Sequence, residues 1–181
     1  MGDQGAVIRR CGPDDVEEIL AIINDGAGAY RGKIPADCWR EPYMPASELE
    51  DELAAGVVFW GCEEQGVVSA VMGLQDVRDV TLIRHAYTRT AHQHRGLGSQ
   101  LLAHLTGLTD RPILIGTWQA ATWAVAFYER HGFRCVSEEE TRQLLARYWT
   151  VPERQVAESV VLVDARWRAH QHATAPGEAI T

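Results

Sequence analysis

The chain has 181 residues, 46% of them hydrophobic and 23% charged, an ordinary balance for one globular domain with a full-sized core. Its formal net charge of −8 argues against a general affinity for nucleic acid or anionic membrane, because such binding needs a basic surface that displaces counterions. No run reaches membrane-spanning length and no early basic segment leads into an apolar stretch, so no span or signal peptide is expected and the cytoplasm is the expected location.

Val7-Ile8-Arg9-Arg10 opens as a strand. Pro13-Asp14-Asp15 then starts a helix with acidic residues in its first turn and Val16, Ile19, Leu20 and Ile23 on one face, running to about Ala27. Residues 28–46 mix Gly28, Gly32, Pro35, Pro42 and Pro45 with Tyr30, Trp39, Tyr43 and Met44. Such a loop, broken in backbone yet rich in rings, either lines a pocket or packs on the core. Ser47-x-x-Glu50 reads as a capping box for a short helix that Gly56 ends.

Val57 to Cys62 and Val67 to Gln75 flank Glu63-Glu64-Gln65-Gly66 as a hairpin, and Val80 to Thr88 supplies the next strand. A glycine-containing turn leads to a helix with Leu97, Leu101, Leu102, Leu105 and Leu108 on one face, ended before Arg111-Pro112. Ile113-Leu114-Ile115-Gly116-Thr117 has the continuous apolar character of a strand covered on both faces. Thr122 can cap a helix from Trp123 to His131, Gly132 breaks it, and Phe133 to Val136 returns to the sheet. Residues 138–148 read as helix and Val156 to Val163 as a last strand, so residues 1–167 form a single domain. From Arg168 to Thr181 no apolar period is visible, and a loose tail is expected. The order predicts a mixed α/β sheet with helices on both faces. Cys11, Cys38, Cys62 and Cys135 lack the close pairs of a zinc site and the density of a disulfide scaffold, and are expected to be reduced and mostly buried.

The most informative segment is Gln93-His94-Arg95-Gly96-Leu97-Gly98, between the strand ending near Thr88 and the leucine-rich helix. Glycines at 96 and 98 leave no Cβ in a ligand's way, and the first N–H groups of the helix lack intrahelical partners, so an anion is the natural occupant. Arg89, His94 and Arg95 are the nearest positive groups. The chain has no Gly-x-x-x-x-Gly-Lys-Ser/Thr loop for a nucleoside triphosphate, nor the third glycine of a dinucleotide fold.

This segment resembles the Gln/Arg-x-x-Gly-x-Gly/Ala coenzyme A signature of the GNAT acyl-coenzyme A transferase superfamily, set after the fourth strand and before a helix. Trp123-Ala124-Val125-Ala126-Phe127-Tyr128-Glu129-Arg130-His131-Gly132-Phe133 is similar to that family's later Ala-x-x-Phe-Tyr-Glu-x-x-Gly-Phe block. The resemblance covers roughly residues 6–164. It implies the GNAT fold, a central sheet of about seven strands, with acetyl-coenzyme A as cosubstrate. It also implies that His94, Arg95, Gly96, Leu97, Gly98 and Ser99, with Gln93, surround the pyrophosphate while Ala86, Tyr87 and Thr88 offer main-chain groups to the pantetheine arm. Thr88 departs mildly from the apolar β-branched residue usual there.

Acyl transfer to an amine needs a base for the nucleophile's proton, a donor to the oxyanion and an acid for the departing thiolate. In the resembling enzymes a tyrosine at the position of Tyr128 lies near the coenzyme sulfur, and a phenol with an ordinary pKa of roughly 10 is protonated at neutral pH. His85 is the candidate base, since an imidazole titrates near neutrality. Alternation places His85 and Arg84 on opposite faces unless the strand bulges. Water relayed to Glu63 or Asp76 is the alternative. His92-x-His94 has no third ligand nearby, and no metal is expected. Trp118 and Trp123 either wall the acyl site or pack in the core. Tyr30, Arg31, Trp39 and Tyr43, with Lys33 and Arg40, are the candidate acceptor residues, suited to a small-molecule amine that also carries a carboxylate or phosphonate. A polyamine or peptide N-terminus, drawn by the acidic surface, is the second acceptor class, and a non-catalytic acyl-coenzyme A-binding regulator the alternative outside catalysis. A homodimer is compatible with the sequence, which does not fix the oligomeric state.

Overall fold

A computed structural model of the chain describes residues 6–174. Seven strands form one mixed sheet in the order β1-β2-β3-β4-β5-β7-β6, where β1 is Val7–Arg10, β2 Val58–Glu64, β3 Val67–Val77, β4 Val80–Thr88, β5 Ile113–Trp118, β6 Arg134–Cys135 and β7 Ser159–Val163. The helices are α1 (Val16–Ala27), α2 (Ala46–Ala54), α3 (Leu97–Thr106), α4 (Thr122–Arg130), α5 (Glu138–Tyr148), α6 (Glu153–Val156) and α7 (Ala165–Thr174). The β2–β3 hairpin turns on Gln65 (φ 52°) and Gly66 (φ 80°), two consecutive left-handed residues whose twist matches that of the strands they join.

Alternation along the strands divides the core. Ile83, Ile113 and Ile115 face α3 and α4, meeting Leu97, Leu101, Leu105 and Tyr128. On the other face Val71 and Phe59 meet Ile19, Ile22 and Leu49 of α1 and α2, while Leu82, Leu114 and Val161 meet Leu144, Leu145 and Trp167 of α5 and α7. The two faces have different partners, so β4 can carry a ligand groove on one side and a polar cluster on the other.

Two irregularities in β4 shape the site. Its parallel pairing with β5 ends at Ile83↔Ile115, although β4 continues to Thr88 and β5 to Trp118; beyond that point the strands part. On the other edge, Gly73 pairs with Arg84 and Val71 with Tyr87, so three steps on β4 match two on β3. The extra residue is a bulge, and His85 sits in it with φ 49°.

Several local expectations are corrected. The helix at α2 starts two residues early with Pro45 as N-cap and no side-chain cap bond, so Ser47 forms no capping box. Instead Asn24 of α1 holds the chain ahead of the helix, accepting from Met44 N at 2.8 Å and donating to Met44 O at 3.0 Å. Thr122 lies within α4, behind an Ala121 cap. Because α3 ends at Thr106, Leu108 falls off its buried stripe and is exposed. Of the four free cysteines only Cys62 is buried, and Cys135 is exposed. Residues 165–174 are helical rather than tail-like: Trp167, 5% exposed, packs on Tyr148 and donates to Glu140 at 2.9 Å. Residues 175–181 of the expected tail lie outside the described residues.

Candidate active site

The loop from β4 to α3 is set by backbone torsions. His94 (φ 62°) and Gly96 (φ 81°) are left-handed on either side of Arg95, an alternation that gathers successive N–H groups into an anion-binding concavity. The first α-helical bond runs from Gln100 N to Gly96 O at 3.0 Å, which leaves the N–H groups of Leu97, Gly98 and Ser99 pointing out of the helix end. The two glycines differ in purpose. A Cβ on Gly96 would meet nothing within 4 Å, so its torsion is what requires glycine. Gly98 has no such torsion, but its Cβ would stand 3.6 Å from Phe127 Cζ and 3.9 Å from Thr88 Oγ1, narrowing the gap between α3 and α4.

The loop is tied to the scaffold at several points. Asp25 of α1 accepts from Thr90 N, His92 Nδ1 bonds Ser69 Oγ on β3, and Arg89 pairs with Glu18 at 2.6 Å. Arg95 turns to Glu64 at 3.1 Å. Two of the three positive groups expected to attract the anion are thus held by carboxylates, and the cations that line the cleft are Lys33 and Arg130, with His92 and His94 beside them. Arg130 escaped sequence reasoning because its place on the cleft depends on how α4 packs.

The cleft has a volume of about 640 Å³ and runs from the first turn of α3 along the parted end of β4 to α4. Ala86, Tyr87 and Thr88 line it, as do Gln93, His94, Gly96, Leu97, Gly98 and Ser99; Arg95 does not. Tyr128 lines it from α4 and is 6% exposed, its ring set edge-on against Phe127 at 5.1 Å and Phe133 at 6.1 Å. Burial pushes its phenol well above the ordinary value, with the nearby Tyr30 adding to the rise; Tyr128 therefore remains a proton donor throughout the neutral range.

Of the candidate acceptor residues only Tyr30 reaches the cleft; Lys33, weighed beside them, reaches it too. Tyr30 stacks on Trp123 at 5.9 Å and lies 5.5 Å from Tyr43 and 6.2 Å from Tyr87. The Tyr87 hydroxyl bonds those of Tyr30 and Tyr43, Tyr30 also reaches Thr117, and Trp118 Nε1 donates to Tyr43 Oη at 2.8 Å. Burial raises all three phenols, Tyr43 to about 12. These rings span the gap between β4 and β5, so the loop both lines the pocket and packs on the core. Arg31 lies outside, paired with Glu41 and 5.4 Å over the Trp39 ring. Arg40 donates to Tyr43 O and pairs with Glu48. Both guanidinium groups already have internal carboxylates.

His85 does not line this cleft. The bulge turns it with Arg84 toward α2, where His85 Nε2 is 3.5 Å from Glu52 Oε1 and its ring stacks 6.0 Å from Phe59. Arg84 reaches the same Glu52 oxygen at 2.7 Å and Gln75 at 3.0 Å. The alternative carboxylates are engaged elsewhere: Glu63 pairs with Arg9 at 2.6 Å, and Asp76 accepts from Thr81 at 2.7 Å. Neither lines the cleft. Glu52 gave no sequence signal, since it is one of several acids in an exposed-looking helix. Among the described residues no three His, Cys, Asp or Glu side chains gather as a metal site, and no helix is long and apolar enough to cross a membrane.

Comparison with known proteins agrees with this fold. Residues 55–135 match the acetyltransferase (GNAT) domain family, a stretch that contains the bulged strand, the glycine turn and Tyr128. A GNAT-family acetyltransferase of Staphylococcus aureus superposes with a TM-score of 0.66 at 17% identity, covering 88% of this chain and 98% of its own. The PaiA N-acetyltransferase of Thermoplasma acidophilum, solved in complex with coenzyme A, gives 0.66 at 14% identity over 89% and 99%. A ribosomal-protein-alanine N-acetyltransferase of Brucella melitensis gives 0.59 at 16% over 87% and 97%. No curated protein sequence matches the chain.

Proposed function

We propose, from the premise that this chain carries a GNAT acetyltransferase domain, that it moves the acetyl group of acetyl-coenzyme A to a primary amine of a small molecule. One observation carries the reading: the cleft joins the open end of α3, the β4 edge freed beyond Ile83↔Ile115 and the buried hydroxyl of Tyr128. The α3 end suits a pyrophosphate and the free strand edge suits an amide-bearing arm. Tyr128 stands farther along, where a thiolate would leave.

In this reading the amine nitrogen attacks the thioester carbonyl within the cleft; His85 lies outside the lining, so the proton reaches it through water. His85 takes the proton lost by nitrogen as the N–C bond forms. Main-chain N–H groups on the free edge of β4 receive the developing oxyanion. Collapse breaks the C–S bond, and Tyr128 gives its proton to sulfur, leaving an amide and the coenzyme thiol.

The acceptor is less constrained. An amino-acid-like acceptor would have to take Arg31 from Glu41 or Arg40 from Glu48. That occupancy, with the net charge of −8, favours as second reading a polyamine or a peptide N-terminus. Thiol release over a panel of amino acids, polyamines, aminoglycosides and an alanine-terminated peptide tests both. A class with amine-dependent turnover and a matching acetylated product fixes the acceptor; absence of turnover across the panel contradicts the small-molecule reading.

A further inference from the structure

Glu52 projects from α2 onto the bulged segment of β4, where one carboxylate meets both a guanidinium and an imidazole. All three side chains are only 15% exposed. Oε1 serves Arg84 at 2.7 Å and faces His85 Nε2 at 3.5 Å, while Glu52 Oε2 and His85 Nε2 are each buried with no hydrogen-bond partner among the described residues. An ion pair meant only to bury Arg84 needs no histidine beside it, and no bulge. The bulge is costly: a non-glycine residue held at φ 49° is strained, and such strain persists where the surroundings impose it. The remaining neighbours do not replace Glu52. From β2 His85 meets the Phe59 ring, from β3 Gln75 reaches Arg84, and the charge of Glu48 in α2 acts on Arg84. Burial pushes the Glu52 carboxyl up, but the facing His85 ring and the Arg84 charge outweigh it and hold the group below its ordinary range. It is ionised at neutral pH.

We infer that Glu52 is the positioning residue for His85: it orients the imidazole with Nε2–H toward the carboxylate, leaves Nδ1 as the proton acceptor, and stabilises the imidazolium formed when the amine gives up its proton. The inference rests on the proposed role of His85 as base.

The test uses the full chain and a readout that needs no acceptor. Nitrogen-15 NMR of the His85 imidazole should show the Nε2–H tautomer dominant in wild type and depleted in Glu52→Gln, because the facing negative charge is lost while Arg84 stays. With the most active acceptor of the panel, kcat should fall about tenfold in Glu52→Gln and be partly restored in Glu52→Asp. Acetyl-coenzyme A binding, in a cleft that neither Glu52 nor His85 lines, should be unchanged and so separates this effect from misfolding. In a cycle with His85→Gln the double variant should turn over no more slowly than His85→Gln alone. An unchanged His85 tautomer, or losses that multiply in the double variant, overturns the inference and leaves Glu52 as a structural partner of Arg84. Full activity in His85→Gln with an intact pH profile removes the base reading itself, and this inference falls with it.

Discussion

Gly96 and Gly98 stand two residues apart, yet their substitution should fail in opposite ways. At Gly96 (φ 81°) an alanine Cβ has open space but the wrong torsion, a cost of about 1–2 kcal/mol for an L residue. For a domain of this length, 1 kcal/mol moves Tm by about 2–4 °C, so Gly96→Ala should lower the melting temperature of the apo protein by about 2–8 °C. At Gly98 a valine Cβ makes only ordinary contacts, 3.6 Å from Phe127 and 3.9 Å from Thr88, so the apo protein should melt within about 2 °C of wild type. Its methyl groups, however, fill the passage between α3 and α4. Saturation at 100 times Kd is worth about 2.7 kcal/mol, which for wild type means a rise of about 5–10 °C with acetyl-coenzyme A. Gly98→Val should abolish that rise. Differential scanning fluorimetry across a ligand series reads both effects. A wild-type rise in Gly98→Val, or unchanged apo melting in Gly96→Ala, refutes the reasoning.

Tyr128→Phe keeps the packed ring and removes the proton, so kcat should fall roughly 10²–10⁴-fold with little change in acetyl-coenzyme A affinity; wild-type single-turnover rates would return Tyr128 to a packing role. Arg31→Ala should change KM for an amino acid and for its decarboxylated analogue equally, because Glu41 already holds the guanidinium; a selective loss on the amino acid revives carboxylate recognition. Trp167→Ala should cost about 3–5 kcal/mol in urea unfolding, as a nearly buried ring bonded to Glu140; a change below about 1 kcal/mol would mean α7 adds little to the fold. Hydrogen bonds from Arg9 and Gly12 N lower the Asp15 carboxyl to about 2, so its stabilisation is present above the unfolded value near 4 and is lost as pH falls toward 2. Asp15→Asn should flatten acid unfolding in that window, by about 1 kcal/mol after allowance for the partly exposed Arg9; an unchanged acid limb contradicts the pairing.

Where structure follows from local pattern, the sequence was a good guide. The strand ending at Thr88, the glycine turn and the helix at 138–148 all stand where periodicity and caps place them. Features that depend on distant partners were hidden. Ser47 looks like a cap, but Asn24, 20 residues from Met44, anchors the chain ahead of α2. The segment from Arg168 has no apolar period, yet helix α7 is held through Trp167 and through His170, which meets Asp79 91 residues away. Likewise Tyr128 could be named from its block, whereas the Glu52 contact needs both the β4 bulge and the packing of α2. The pairing of Arg31 with Glu41 was equally invisible, and it turned a presumed acceptor anchor into an internally satisfied charge.

The most direct test of the account is amine-dependent thiol release from acetyl-coenzyme A by the full chain, followed by mass analysis of the acceptor. The account predicts equimolar coenzyme thiol and N-acetylated amine, with both lost together in Gly98→Val. Saturable acetyl-coenzyme A binding with no acetylated product from any amine class, or product formation undiminished in Gly98→Val, would contradict it.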